Sequence, residues 1–434
     1  MQKLHSKIIA ALTVLLLPGI ALAGEMNTGD TAWILTATAL VLFMTIPGLS
    51  LFYGGLVRSK NVLSILMQCF AITCMASIVW VIFGYSVALN GGAHPGNFLG
   101  TFDKAFLAGV NGHSLTGTIP ETLWIMFQMT FAIITPALIV GGFAERMKFS
   151  AMMLFSTAWL ILVYLPTCYW VWGGGWLAQR GFIDFAGGSV VHINAGVAAL
   201  VAALYLGKRK GFPRVAMPPH NMTMTVTGAG MLWVGWFGFN AGSAVAAGQS
   251  AAMAMLVTHI SAAAGALTWM TIEWMKFKKP SVLGIVTGMV AGLGTITPAS
   301  GSVGPMGALI IGVSAGVVCF YSTQFIKRVA HIDDSLDVFP VHGVGGILGT
   351  FVVGILAYTL GGNGVVATGQ TVSDAITHQL GVQAMGIAAT FIWSGVLSWV
   401  ILKVVDMMVG VRVTEDQERE GLDINQHEEV GYNL

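Results

Sequence analysis

The sequence predicts an all-α polytopic membrane protein of eleven transmembrane helices, built as inverted five-helix repeats (1–5 and 6–10) with an eleventh helix behind them. Three observations predict it. Of 434 residues, 55% are apolar and only 9% are Asp, Glu, Lys or Arg. A soluble globular chain carries about 25% charged residues, so this one has too few to coat a water-exposed surface. Apolar windows of about 20 residues, the length that crosses a bilayer, recur along the chain. Finally, segments in the first and second halves echo each other. The 20 basic and 19 acidic residues nearly cancel; the basic footprint of a nucleic-acid partner is missing, which excludes that class.

In chain order, residues 1–23 read as a cleavable signal peptide. Lys3 and Lys7 precede an apolar stretch, Ile8 to Leu17, and Ala21-Leu22-Ala23 forms the cleavage site. The membrane domain, 24–408, holds apolar windows near 31–54, 62–89, 121–142, 150–168, 188–207, 221–241, 251–275, 282–299, 306–326, 338–360 and 383–408. The 90–120 connection is the longest and is expected to cap one mouth. Residues 409–434 form a tail. The 56 glycines, costly in a soluble helix, let helix backbones approach closely in lipid.

Orientation follows from charge. Alternate connections hold Arg58, Lys60, Arg146, Lys148, Lys208, Arg209, Lys210, Arg214, Lys276, Lys278, Lys279, Lys327 and Arg328, against only Lys104 and Arg180 in the other set. By the positive-inside rule the first set is cytoplasmic. Eleven spans then put the mature N-terminus outside and the tail inside. The repeat pairs the Gly- and aromatic-rich ends of spans one and six. It also pairs spans five and ten, each beginning with an Asp followed by glycines and one His. An odd number of helices per repeat sets the two halves in opposite orientations.

Polar groups inside spans are costly and are functional candidates by default. Span five carries Asp184-Phe-Ala-Gly-Gly-Ser-Val-Val-His192-Ile-Asn194, and span ten carries Asp337-Val-Phe-Pro-Val-His342. Each His has an ordinary reading, a buried imidazole bonded to a neighbouring helix. Two in corresponding helices instead suggest rings that meet at a pseudo-two-fold axis within a pore. Neither has a third ligand at metal spacing, so no metal and no other cofactor are expected. Asp184 reads first as a helix cap, the alternative being a direct ligand for a cation at the entrance. Aromatic residues give a third signal. Phe127 and Phe131 share a helix face at i,i+4, Trp172 stands before three glycines, and span six contains Trp236-Phe-Gly-Phe239-Asn-Ala-Gly-Ser243. Rings at a mouth attract a cation.

The remaining candidates weigh less. Cys69, Cys74, Cys168 and Cys319 read as packing residues. His94, His113, His220, His331, His378 and His427 read as solvated loop residues, and His259 as bonded to a neighbouring helix. No nucleophile–His or metal constellation indicates an enzyme.

These motifs, with Phe143-Ala-Glu-Arg146, Val341-His342-Gly-Val-Gly-Gly346, Phe52-Tyr-Gly-Gly-Leu-Val-Arg-Ser-Lys-Asn61 and the Arg412–Asp423 tail segment, resemble the Amt/Mep/Rh ammonium transporters. The similarity is strongest to the bacterial Amt branch and spans essentially the whole mature chain. The resemblance implies a homotrimer with one pore per subunit in the bacterial inner membrane. It implies an outer ammonium-binding site at Phe131, Trp172 and Ser243, a gate of Phe131 and Phe239, and a twin-histidine pair of His192 and His342. Asp184 would be the structural acid below the mouth, with Phe127 and Trp236 lining the pore. The tail, with seven acidic residues between Glu415 and Glu429, would pack against a neighbouring subunit. A cytoplasmic PII-type signal protein is an expected partner.

Elementary electrostatics supplies a mechanism. A bare monovalent ion entering a dry interior costs on the order of 20 kcal/mol, and a desolvated cation–π contact returns about 2 kcal/mol. Ammonium must therefore shed its proton near the gate and cross as ammonia. The proton is lost to bulk or follows separately through the imidazoles, which can accept on one nitrogen and donate from another. Separate passage makes transport electrogenic. A passive ammonia channel and an ammonium sensor remain alternatives.

Overall fold

The computed structural model describes residues 25–90 and 98–433; the signal-peptide reading and His94 fall outside them. Among the described residues eleven long helical segments follow one another: α1 Thr28–Leu56, α2 Ser59–Leu89, α3 Glu121–Phe143, α4 Phe149–Val171, α5 Gly188–Leu206, α6 Met222–Gly242, α7 Gln249–Phe277, α8 Val282–Ala299, α9 Pro305–Val329, α10 Phe339–Leu356 and α11 Val372–Val409. Ten are long and apolar enough to cross a bilayer. The other, α6, is long enough at 21 residues, but its glycines, threonines and Asn240 dilute its apolar character. It packs between α1 and α7. Two short helices, α12 Glu415–Glu420 and α13 Leu422–His427, complete the tail.

The boundaries differ from the apolar windows most at α11, which begins at Val372 rather than 383. Its first turns are polar and extend past the apolar run. Thr371 and Asp374 form a reciprocal capping box there, the arrangement that starts a helix without apolar residues. Gln379 and Gln383 then fasten the helix to the α4–α5 connection, through Gly181 O (2.9 Å) and Ile183 N (2.9 Å).

α3 and α5 are the central helices, with 89% and 78% of an apolar 18-residue stretch buried; α2 and α11, at 33% each over such a stretch, lie at the periphery. α5 and α10 cross at glycines. A Cβ on Gly196 would stand 2.3 Å from the nitrogen of Gly343, and one on Gly346 would stand 2.8 Å from the oxygen of Gly188. Only glycine permits this backbone contact. The two helices are antiparallel: α5 ends where α10 begins, at the face that carries the tail. Arg58, Lys60, Arg146, Lys148, Arg209 and Lys210 gather on that same face, as the alternation of charged connections predicts.

The tail is folded onto its own chain rather than solvated. Lys148 N donates to Val411 O (3.0 Å) and Val413 N to Arg146 O (3.1 Å). Asp423 caps α2 by accepting from Leu63 N (3.0 Å) and Ser64 N (2.8 Å). Arg412 reaches the last carbonyl of α5, Leu206 O (2.5 Å), and Lys208 O just beyond it (2.7 Å), a cation placed where a helix dipole favours it. Two histidines read as solvated are engaged here. His220 Nδ1 lies 2.7 Å from Val57 O and its Nε2 3.0 Å from the Tyr432 hydroxyl, while His427 packs edge-on against Phe149 at 5.1 Å. His113, His331 and His378 are exposed. His259 lies on the outside of α7, with its ring 5.3 Å from Trp233 and 6.1 Å from Phe237; among the described residues it makes ring contacts rather than the expected hydrogen bond. Cys69, Cys168 and Cys319 are buried and Cys74 is exposed, so packing accounts for three of the four.

Candidate functional site: a file of rings ending at paired imidazoles

α3, α6 and the end of α4 deliver the aromatic side chains. Trp172 closes α4 with its indole Nε1 donating to Asp184 O (2.9 Å), which fixes the ring over the mouth of the bundle. Its ring meets Phe131 edge-on at 5.7 Å. Phe131 lies 5.1 Å from Phe127 one turn earlier and 4.4 Å from Phe239 across on α6. Trp172 and Ser243 are half-buried, whereas Phe127, Phe131 and Phe239 are fully buried. The Ser243 hydroxyl donates to Phe239 O (2.8 Å). Its proton is thereby committed, and the lone pairs of its oxygen remain for a donor arriving from outside.

Below the phenyl pair stand the histidines. Phe239 lies 6.0 Å from His192, and Trp236 lies 5.5 Å from the same ring, nearly parallel to it. Trp236 is held by its own Nε1–H donating to Thr297 Oγ1 (2.9 Å). His192 and His342 meet edge to edge, with Nδ1 to Nδ1 at 3.2 Å and ring planes within 18°. One Nδ1 must be protonated and the other bare for that contact to be a hydrogen bond. His192 Nε2 is buried without a partner among the described residues. The surrounding wall is apolar and includes Ile134, Leu138, Leu232 and Val290. His342 then opens into a funnel of about 100 Å³ on the tail face, where Lys327 and Asp337 pair at 2.7 Å.

Both histidines sit in wide helical turns at the start of their helices. Asn194 N bonds back to Ser189 O in α5, and Val344 N to Phe339 O in α10, the i→i+5 pattern that recurs at functional sites. Asp184 holds the first of these turns. Its Oδ1 accepts from Gly187 N (2.8 Å) and Gly188 N (2.6 Å), and its Oδ2 from Ser189 N (2.8 Å) and Val190 N (3.1 Å). Four orphan donors of a helix start are thus met by one carboxylate, the geometry of a cap.

The counterpart in the second half is not Asp337. Asp337 takes a positive φ of 61° and faces Lys327, whereas Asp334 Oδ2 accepts from Phe339 N (2.7 Å) at the start of α10. Asp334 stands eight residues before His342, as Asp184 stands eight before His192. That spacing, applied to both halves, identifies the residue the sequence reading missed.

The reading also left Glu145 and Arg146 without a task. Glu145 accepts from Arg58 N (2.8 Å), Asn61 Nδ2 (2.9 Å) and Arg209 Nη1 (2.7 Å). Arg209 also grips Asp333 at 2.8 Å, and Arg146 donates to Asp333 O (2.6 Å) and Ser335 Oγ (2.6 Å). Burial pushes the Glu145 carboxyl up, but Arg209 and Arg58 outweigh it and hold the group below its ordinary value. The cluster welds the end of α3 to the loop that carries Asp334. Among the described residues no group of His, Cys, Asp and Glu is arranged to hold a metal.

Comparison with known proteins agrees with this architecture. Residues 32–432 match the Ammonium Transporter Family model. An ammonium transporter of Bacillus subtilis is 46% identical over 410 residues, covering 94% of this chain and 99% of the relative. The ammonium transporter Amt1 of Archaeoglobus fulgidus is 43% identical, covering 94% of this chain and 100% of its own. Among solved structures, Saccharomyces cerevisiae Mep2 superposes with a TM-score of 0.81 at 34% identity, covering 91% of this chain and 92% of that one. A sensor Amt protein superposes at 0.83 with 29% identity, covering 92% and 98%. The chain belongs to the ammonium transporter family.

Proposed function

We propose that this chain is an ammonium transporter that binds ammonium at Trp172, Phe131 and Ser243, strips its proton at the Phe131–Phe239 gate and passes ammonia along the His192–His342 pair. The observation that carries the reading is the unbroken file of rings from a half-exposed Trp172 through buried phenyls to bonded imidazoles. The rings attract a cation at the rim. The apolar wall beneath them makes passage of the intact ion cost on the order of 20 kcal/mol, a barrier that neutral ammonia escapes. Potassium cannot deprotonate and is rejected by the same wall. Asp184 acts through the backbone of α5, keeping His192 in register with His342.

The proton travels separately, relayed by the imidazole pair, so the net event moves charge. The protein works in the bacterial inner membrane as a homotrimer, its first 23 residues removed, with the tail in the cytoplasm, where a PII-type signal protein is its regulatory partner.

The test is current from purified protein in liposomes after an ammonium jump, with potassium as control. An ammonium-selective transient that decays faster as protein density rises reports sustained charge movement and supports the reading. An unchanged selective current in His192→Ala/His342→Ala refutes the relay. No current, with pH change still faster than in empty liposomes, makes the protein a passive ammonia channel.

A further inference from the structure

At its outer end α1 reaches across to the segment that carries Ser243. Asp30 Oδ1 accepts from Ala247 N (2.7 Å), and its Oδ2 accepts from the Thr118 hydroxyl (2.6 Å). Thr118 belongs to the turn between two short strands, β1 Leu115–Thr116 and β2 Ile119–Pro120, in the connection above the mouth. One turn along α1, Trp33 Nε1 donates to Ala241 O (3.2 Å). Ser243 is therefore bracketed, two residues before by Trp33 and four residues after by Asp30.

The bracketed loop needs holding. Val245 sits at φ 56°, a left-handed conformation that a β-branched side chain resists. Its amide turns back onto Gly242 O (2.9 Å), which closes the turn tightly around Ser243. The nearly buried Asp30 carboxylate supplies the acceptor that keeps this strained turn closed.

We infer that Asp30 is a positioning residue for ammonium recruitment, fixing the Ser243 hydroxyl through the α6–α7 loop. The inference rests on Ser243 being part of the recruitment site. It assigns Asp30 a geometric role: what matters is the pair of hydrogen bonds to Ala247 and Thr118 and not the negative charge. Asparagine tests this directly. Its oxygen can accept from Ala247 N–H, and its amide can donate to the Thr118 hydroxyl, which accepts as readily as it donates.

The experiment compares half-saturating ammonium concentration and maximal current in liposomes for wild type, Asp30→Ala, Asp30→Asn and Ser243→Ala. Asp30→Ala is expected to raise the half-saturating concentration roughly five- to tenfold, the effect of losing an ordinary intramolecular hydrogen bond, with maximal current little changed. Asp30→Asn is expected to stay near wild type. Equal rises in both Asp30 variants would overturn the inference in favour of charge. An unchanged Asp30→Ala beside an affected Ser243→Ala would overturn it while leaving the recruitment site intact. An unchanged Ser243→Ala removes the recruitment reading, and the inference with it. If Asp30→Ala does not fold, Ala247→Pro deletes the same hydrogen bond from the donor side and is expected to reproduce the rise; a wild-type value there overturns the inference.

Discussion

Replacing Asp184 with Asn changes one atom and should open the start of α5. The carboxylate serves four backbone donors, two on each oxygen, at 2.6–3.1 Å. An asparagine in the same rotamer keeps one oxygen for one pair of donors and turns its own N–H₂ towards the other pair. Two buried N–H groups then lose their acceptor, at about 1–3 kcal/mol each. Relaxation recovers part of that cost, leaving roughly 2–4 kcal/mol of local stability lost, or about 30- to 700-fold in an opening equilibrium at 1.4 kcal/mol per decade. Hydrogen exchange read by mass spectrometry on a peptide covering residues 186–193 would report that factor directly, since local opening governs amide protection. Ammonium-driven current should fall as well, because His192 lies on the loosened turn. Unchanged exchange in that peptide, with current lost all the same, would refute the capping argument and make the carboxylate a direct partner of the cation.

Two further outcomes follow from the geometry. Trp172→Leu removes a half-exposed ring whose cation–π contribution is roughly 1 kcal/mol. The half-saturating ammonium concentration should rise about fivefold, with potassium still excluded because the apolar pore is intact; a potassium current in this variant would count against the dry-pore argument. Glu145 is held below its ordinary value in the folded protein by Arg209 and Arg58. Its contribution to stability is therefore fully present above about pH 4.3, the unperturbed value, and is lost as pH falls through the lower folded value. The difference in thermal stability between wild type and Glu145→Gln in detergent should be constant from pH 7 to 5 and shrink below about pH 4. A difference that grows on acidification would contradict the sign.

Most of the fold was legible because lipid imposes a crude rule: about twenty apolar residues, then charge. The rule located α2, α5 and α6 well, and failed where a helix outruns the bilayer. α11 starts in a polar capping box, ahead of its apolar run. The site was legible where a residue type is conspicuous in lipid. His192, His342 and Asp184 stand out against their surroundings, Phe131 pairs with Phe127 on one helix face, Trp172 precedes a run of glycines and Phe239 lies in the aromatic end of α6. Asp334 was passed over because Asp337 stands nearer to the helix start, although only Asp334 keeps the eight-residue interval to the histidine. Asp30, Glu145 and Arg209 were illegible for a different reason. Each acts through a partner more than sixty residues away in the chain, and nothing in local composition marks a long-range hydrogen bond.

In the proposed pore, the contact of Gly196 with Gly343 sets the bore without using a side chain. Because two backbones touch there, the spacing of the imidazoles is fixed by how the two halves of the molecule cross. Neighbouring residues are then free to vary in polarity or bulk without rescaling the passage. A methyl group at either glycine would act as a shim between the halves, parting both rings at once. Calibre is thus a property of the join, and chemistry a property of the lining, so the two can change independently.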